Sequence, residues 1–404
     1  MLYFILPIFS GVVLFELLYS DFKLYSMLRH YKRFDLHKLL TELKHFPAKF
    51  LLTDLPASLI PNILIQIPVY NESAAIRRRT LAYASALQWP ASKLFIQMLD
   101  DSDDPISAVY WQEKGYNVEV IHRKDRVCAK SGALANGLEK GFGPKAEFVA
   151  VLDSDFRPTE HWLQEAYWLF YEYGPMLACV QTRWIYSNAS KNWVTRIAEA
   201  LLCGHMVVEK IVNSSRRGRS YFNGSAALWR VSYIQKAGGW ITNSLSEDVD
   251  LSTRVTRIGG WIRYAPAIVC SSELPEELNV LKQQQVRWCI GGTQNGVSFW
   301  SETYLYRFIY IIIVLAFGFE FHCWWYSLGA ILLFGSPYLL SLPYYVFATN
   351  EAHKADKLPK ISWYKFLTLP VFGWYSLFSC TLGVVKGLLP FKYKFKVTKK
   401  YGAS

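Results

Sequence analysis

At 404 residues the chain exceeds one typical domain, and a content of 52% hydrophobic and 16% aromatic residues is rich for a wholly water-soluble protein. The net charge of +12 gathers from Lys23 to Lys49 and in Lys392, Lys394, Lys396, Lys399 and Lys400, each group beside an apolar segment, as suits a membrane surface with anionic lipid. No zinc-finger spacing or basic-aromatic module points to nucleic acid, and seven scattered cysteines without a CxxC exclude a disulfide framework and read as reduced thiols facing a cytosolic compartment.

Residues 1–20 are nearly all apolar apart from Glu16 and carry neither the basic start nor the small-residue cleavage site of a signal peptide, so a retained transmembrane helix is expected. Residues 21–57 are a basic cytosolic or interfacial linker by the positive-inside bias. An α/β pattern fills residues 58–275. Strands are expected over residues 62–68, 94–99, 117–121 and 148–152, with later ones at 178–181 and 262–269, and helices over 72–88 and 130–139. Strand, helix, strand in that order implies a mostly parallel, Rossmann-like sheet with right-handed crossovers. Residues 276–303 read as an interfacial segment. In residues 304–348 two apolar runs, 308–319 and 323–347, are expected to cross the bilayer twice. Residues 349–404, basic on both sides of an apolar run at 366–389, are expected to be an interfacial or re-entrant segment and a basic cytosolic tail.

The apolar run 148–152 stops at Asp153-Ser154-Asp155, which sets two carboxylates just past a buried strand's carboxyl end. Ligands bind at that edge of open α/β sheets, and such a pair suits a divalent cation held against a diphosphate; an ordinary turn closing a strand has the same composition. Asp100-Asp101 follows the second strand in the same way, and the two pairs could divide nucleoside and cation between them. Lys130, in a small-residue stretch opening a helix, could offset phosphate charge or be a solvated surface lysine. Glu247, Asp248 and Asp250 open a helix ending near Ile258, where they either cap it or supply, in Asp248, a base for an acceptor hydroxyl. Arg287 could stabilise a departing diphosphate and Trp288 could face a sugar ring; both equally suit a membrane-belt helix.

Taken in order, IPVYNE (residues 67–72), LDDS (99–102), DSD (153–155), VQTRW (180–184), FNGSAALWR (222–230), AGGW (237–240), EDVDL (247–251) and QQVRW (284–288) resemble the membrane-embedded family 2 glycosyltransferases, which include cellulose, hyaluronan and plant mannan synthases. The resemblance runs from about residue 62 to residue 295, with its nearest echoes among cellulose-synthase-like mannan and glucan synthases. It implies a GT-A fold inserted between transmembrane helices. It further implies a nucleotide-sugar donor, UDP-glucose or GDP-mannose, bound through Pro68, Tyr70, Glu72, Asp100, Asp101, Lys130 and Asp153. Mg2+ or Mn2+ would lie on Asp153 and Asp155, Asp248 beside Glu247 would be the general base, and Gln284, Arg287 and Trp288 with Phe222, Asn223 and Gly224 would line the acceptor and pyrophosphate region.

Two features depart from the family: Ser246 stands where threonine usually precedes Glu-Asp, and the carboxy-terminal membrane part is short for a synthase that threads its own product. The function expected is an inverting hexosyl transfer onto the growing end of a β-linked glucan or mannan chain. The catalytic domain would be cytosolic, at a bacterial inner membrane or a Golgi membrane. A glycolipid synthase adding one or a few sugars to a membrane lipid is the alternative, and a non-catalytic membrane scaffold a third reading.

Overall fold

The computed structural model describes residues 18–19, 22–29, 60–105, 118–217, 220–240, 245–295, 299–321, 324–334 and 338–389. The expected amino-terminal crossing, most of the basic linker and the basic tail fall outside these residues. In order the chain forms β1 (Ile63–Val69), α1 (Ala74–Ser85), β2 (Leu94–Asp100), β3 (Val118–His122), α2 (Ala129–Glu139), β4 (Phe148–Val151), β5 (Arg157–Pro158), α3 (Trp162–Tyr173) and β6 (Leu177–Tyr186). Next come α4 (Trp193–Cys203), a π-helical turn (Gly204–Glu209), α5 (Lys210–Arg217), β7 (Ala227–Arg230), α6 (Val231–Lys236), α7 (Glu247–Arg257) and β8 (Trp261–Ser272). The helices α8 (Leu278–Gln294), α9 (Phe299–Phe321), α10 (Trp324–Phe334), α11 (Leu342–Ala355) and α12 (Thr368–Leu388) follow. These elements divide between a sheet unit, Lys38–Asn188, Asn213–Leu274 and Phe395–Ser404, and a helical unit, Met1–His37, Ala189–Val212 and Pro275–Lys394.

In the sheet unit the strand order is β3-β2-β1-β4-β7-β6-β8-β5. Pairs β1/β2, β2/β3, β1/β4 and β6/β8 are parallel, whereas β7 runs antiparallel to both β4 and β6 and β5 antiparallel to β8. The sheet is therefore mixed but mostly parallel. Both faces of its centre are buried, which is why β1 and β4 read as unbroken apolar runs. Ile63, Ile65, Ile67, Phe148 and Ala150 point into one core with Leu81 of α1 and Trp162, Leu163, Ala166 and Phe170 of α3. Leu64, Val149 and Val151 point into the other with Leu134 of α2, Ile234 of α6 and Leu251 and Val255 of α7. The chain reverses strand order around β1, between β2 and β4, and the carboxyl ends of these three strands open at one edge, the switch point at which such sheets take ligands.

The helical unit takes in Ala189–Val212, a stretch inside the span 58–275 expected for the catalytic domain. Asn192 caps α4, accepting from the amides of Val194 and Thr195 at 2.9 Å each, and Thr195 Oγ1 returns the bond by accepting from the Asn192 amide at 3.1 Å. On α4, Glu199 is buried and meets His353 Nε2 of α11 at 2.7 Å. The Tyr344 hydroxyl of α11 donates to the Gly204 carbonyl in the π-helical turn at 2.7 Å. These buried polar partners join α4 and the π-helical turn to α11 within the helical unit.

Two apolar runs take a definite form here. The apolar run 323–347 is not one helix: α10 ends at Phe334 and α11 begins at Leu342, with Pro343 in its first turn, where the missing amide donor costs nothing. The run 366–389, expected to be interfacial or re-entrant, is the continuous helix α12. Pro370 lies in the first turn of α12 and does not interrupt it. By length and composition Trp363–Leu388, 26 residues with mean hydropathy 1.4, can cross a membrane, and Tyr304–Ala316 is a shorter apolar helix. Core helices of soluble proteins share that length and composition. α12 backs α8 closely, since a Cβ at Gly387 would come within 2.8 Å of the Ile290 carbonyl oxygen and one at Gly383 within 3.2 Å of the Val286 carbonyl oxygen.

Candidate active site

The edge above β1, β2 and β4 collects most of the residues singled out in the sequence. Lys130, in the first turn of α2, is its centre: Nζ donates to Asp153 Oδ1 at 2.5 Å and to the Gly224 carbonyl at 2.6 Å, and stands 3.8 Å from Glu247 Oε1. Burial alone would lower the lysine's pKa. The carboxylates of Asp153, Glu247 and Asp248 outweigh that and hold it raised, so the ammonium stays charged. The residue after Glu247 is Asp248, whose Oδ1 accepts from the Val249 amide at 2.9 Å. Its carboxyl pKa is pushed up to about 7, first by burial and then by the Glu247 charge, against the Val249 amide and Lys130. A carboxyl poised near neutrality beside an ammonium is suited to take a proton from a hydroxyl.

The glycine of the FNG stretch permits this closeness. Gly224 has φ +86, and a Cβ there would lie 3.4 Å from Asp248 Oδ2 and 3.8 Å from Lys130 Nζ. Two groups hold the stretch. The Asn223 amide donates to Gln181 Oε1 at 2.8 Å, and Gln181 Nε2 donates to the carbonyls of Thr182, Ser225 and Ala226 at 2.9, 3.1 and 3.2 Å. Ser252 of α7 accepts from the Phe222 amide at 2.9 Å and donates to the Asp248 carbonyl at 2.6 Å, which ties the stretch to the acidic helix.

The DSD loop is tied down with equal thoroughness. The Asp153 amide donates to Ser225 Oγ at 2.8 Å, and Ser154 Oγ donates to Glu72 Oε1 at 3.0 Å, while the Thr80 hydroxyl donates to the Ser154 carbonyl. Asp155 is 1% exposed, and its Oδ2 accepts from Ser272 Oγ at 3.0 Å and from the Glu273 amide at 3.5 Å. Glu273 in turn is held by Arg79 at 2.6 Å and by Arg157. The carboxylate oxygens of Asp153 and Asp155 are hard donors of the kind Mg2+ or Mn2+ takes, while among the described residues no three His, Cys, Asp or Glu side chains are grouped to hold a metal ion.

The other expected residues sort as follows. Asp100, expected to contact the donor, is wholly buried, with Oδ2 2.9 Å from His122 Nδ1 and Oδ1 accepting from the Ser102 amide at 3.0 Å in the turn after β2. Asp101 is clasped by the fork of Arg123, Nε to Oδ1 at 2.8 Å and Nη2 to Oδ2 at 2.6 Å. Phe222, expected at an acceptor entrance, is 1% exposed and packs against Trp229 and Trp240, because a phenyl ring gains more in that core than in water. Pro68 is the penultimate residue of β1, aligned with Leu99, and Tyr70 lies just past that strand with the Arg126 guanidinium over its ring. Glu72 accepts from the Tyr70 amide as well as from Ser154, which makes it a brace between two loops. Asp250 pairs with Arg254 at 2.7 Å, and Arg254 bonds the carbonyls of Ala237 and Gly239.

Gln284, Arg287 and Trp288 belong to the helical unit, where their spacing on α8 sets them on one face. Trp288 is 37% exposed, and among the described residues the buried Gln284 Oε1 has no hydrogen-bond partner. Sequence reasoning assigned no role to Arg123, Gln181, Ser225 or Ser252. Gln181 lies inside the VQTRW motif and Ser225 inside FNGSAALWR, which are signals; Arg123 and Ser252 carry none.

The chain matches the glycosyl transferase family group 2 over residues 148–378, more than half of its length. It belongs to that family. Among similar curated members of glycosyl transferase family group 2 are "Glucomannan 4-beta-mannosyltransferase 2" of Arabidopsis thaliana, 33% identical over 67% of this chain and 54% of that protein, and "Probable glucomannan 4-beta-mannosyltransferase 6" of Oryza sativa subsp. japonica, 36% identical over 61% of this chain and 46% of that protein. The chain thus spans about half the length of the curated relatives it matches. Among solved structures it shares the fold of the mannosyltransferase PcManGT from Pyrobaculum calidifontis, solved with GDP-Man and Mn2+, at a TM-score of 0.55, with 17% identity over 93% of this chain and 99% of that one. The expected GT-A architecture of the sheet unit is what this likeness shows.

Proposed function

We propose that this chain transfers mannose from GDP-mannose to the growing end of a β-linked, mannan-type polysaccharide, with inversion at the sugar carbon. The observation that carries the reading is the Lys130, Asp153, Glu247, Asp248 cluster at the open edge of β1, β2 and β4. The names of the curated relatives and the ligands of PcManGT support the sugar, the nucleotide and the polymer.

In this reading Asp248 accepts the proton of the acceptor hydroxyl as that oxygen attacks the anomeric carbon. Glu247 keeps the Asp248 carboxyl basic enough for the task, since its charge raises the neighbour's pKa. Lys130 faces the departing diphosphate and offsets its charge. Mg2+ or Mn2+ would be held by Asp153 and Asp155 and, when bound, would neutralise part of that same charge. Gly224 leaves space for an acceptor beside Asp248. Arg287 and Trp288, on one face of α8, are assigned to the pyrophosphate and to an acceptor sugar ring, and Gln284 to the same region. We assign the enzyme to a membrane with its catalytic unit in the cytosol, on the strength of the apolar helix Trp363–Leu388 and the flanking basic segments.

The test feeds the purified full chain radiolabelled GDP-mannose or UDP-glucose with Mn2+ and sizes the product. Mannose in an insoluble, β-mannanase-sensitive polymer is expected. An organic-extractable product would replace the polymer with a glycolipid, label from UDP-glucose alone would replace the donor, and no nucleotide release from any donor would remove the transferase reading.

A further inference from the structure

Beside the cluster that faces the sugar and phosphates lies a second arrangement that the reaction leaves unused. The guanidinium carbon of Arg126 stands 3.4 Å from the centre of the Tyr70 ring, at the carboxyl end of β1. The loop carrying it, between β3 and α2, has three non-glycine residues in the left-handed backbone region: Arg126 at φ 45, Cys128 at φ 57 and Ala129 at φ 44. Such conformations persist only where surrounding contacts enforce them, and they gather at ligand sites. Here the enforcing group is Arg123, which donates from Nη1 to the Val127 carbonyl at 2.9 Å and from Nη2 to the Ala129 carbonyl at 2.8 Å while its fork grips Asp101. The carboxylate after β2 therefore fixes the loop that presents Arg126.

The Arg126 side chain itself is left unspent. Among the described residues it makes no hydrogen bond or ion pair, and its Nε is buried without a partner. A buried donor in this state is costly until something accepts from it. The same loop runs directly into Lys130; in the reading proposed here, a nucleotide whose diphosphate meets Lys130 turns its base toward Arg126 and Tyr70.

We propose that Arg126 reads the base of the donor nucleotide and selects guanine over uracil; this rests on the GDP-mannose reading above. A planar guanidinium offers parallel N–H donors, and guanine presents two adjacent acceptors, O6 and N7, that match them. The edge of uracil places an N–H donor beside each carbonyl, so one acceptor is met and a donor faces a donor. The Tyr70 ring holds the fork flat and ready for an edge-on contact.

The test measures GDP and UDP dissociation constants calorimetrically, with Mn2+, on the full chain and on Arg126→Lys and Arg126→Ala. For the unaltered protein GDP is expected to bind tighter than UDP by about tenfold or more. Both substitutions are expected to bring the two nucleotides within about threefold by weakening GDP and sparing UDP; lysine keeps the charge but lacks the fork. If the unaltered protein favours GDP and both variants keep that preference, the role of Arg126 is wrong while the donor reading stands. If the unaltered protein favours UDP or neither, the GDP-mannose reading falls and takes this inference with it. Should Arg126→Ala fail to fold, Arg126→Lys decides.

Discussion

At the scale of single residues the proposed chemistry turns on Asp248. Because burial and Glu247 raise its carboxyl to about 7, the basic form is lost on acidification well above the range of an ordinary aspartate, and kcat/KM is expected to fall along an acid limb near neutrality. A pH profile that stayed flat from pH 8 to pH 5 would remove Asp248 from the base role. Asp248→Asn is expected to lower kcat by about 10²–10⁴-fold while donor affinity is kept. A stability change accompanies it. A carboxyl whose folded pKa lies above its unfolded value binds more protons when folded, so stability falls as pH rises from the ordinary aspartate value of 3.8 to about 7 and stays lowered above that. The asparagine variant is therefore expected to melt at a higher temperature than the parent at pH 8, with the gap closing toward pH 4. That Asp248 and Lys130 lie at helix starts was legible in the sequence, whereas their meeting at one cluster was not, since each alone also suits a cap or a solvated surface. Arg123 was not, since a basic residue in the charged run His122 to Arg126 reads as solvated until the fold brings Asp101 against it. The burial of Asp100 and Phe222 was hidden for the converse reason: a carboxylate after a strand and a ring beside a glycine read as exposed until the fold is known.

At the scale of elements, the FNG stretch is positioned from a neighbouring strand. Gln181 of β6 is fully buried and spends its amide on the backbone of residues 182 and 223–226. Gln181→Leu leaves those groups unpaired, and a loss of about 1–3 kcal/mol is expected in denaturant unfolding, with a larger fractional loss of turnover than of donor binding. The helix pair α8 and α12 is likewise set by close packing. Gly387→Leu would drive a side chain into the Ile290 carbonyl and Thr293, so it is expected to lower the melting temperature and, if α8 carries acceptor residues, to raise the acceptor KM. A variant with unchanged melting and kinetics would deny the close packing. Long apolar strands such as β1 and β4 could be read directly, because burial on both faces leaves a continuous run. β7, four residues antiparallel between β4 and β6, could not, because nothing local distinguishes it from a loop rich in small residues. The break between α10 and α11 was hidden by hydropathy that continues on both sides of it.

At the scale of the whole molecule, the membrane assignment has a direct check. The full chain is expected to remain with the membrane fraction after alkaline carbonate extraction, as α12 and the other apolar helices would require; release into the supernatant would overturn it. The domain division was only half visible from the sequence, since the α/β pattern marks the sheet unit while nothing in the composition of Ala189–Val212 announces its departure. That departure governs how the protein can be dissected. A fragment trimmed to residues 58–275 would retain α4 but discard α11, stripping Glu199 of His353 and the Gly204 carbonyl of Tyr344. A sticky, partly unfolded appendage would then hang from an otherwise intact sheet unit. Obtaining that unit alone calls for excising Ala189–Val212 internally and splicing Asn188 to Asn213 through a polar connector, rather than shortening the gene from its ends.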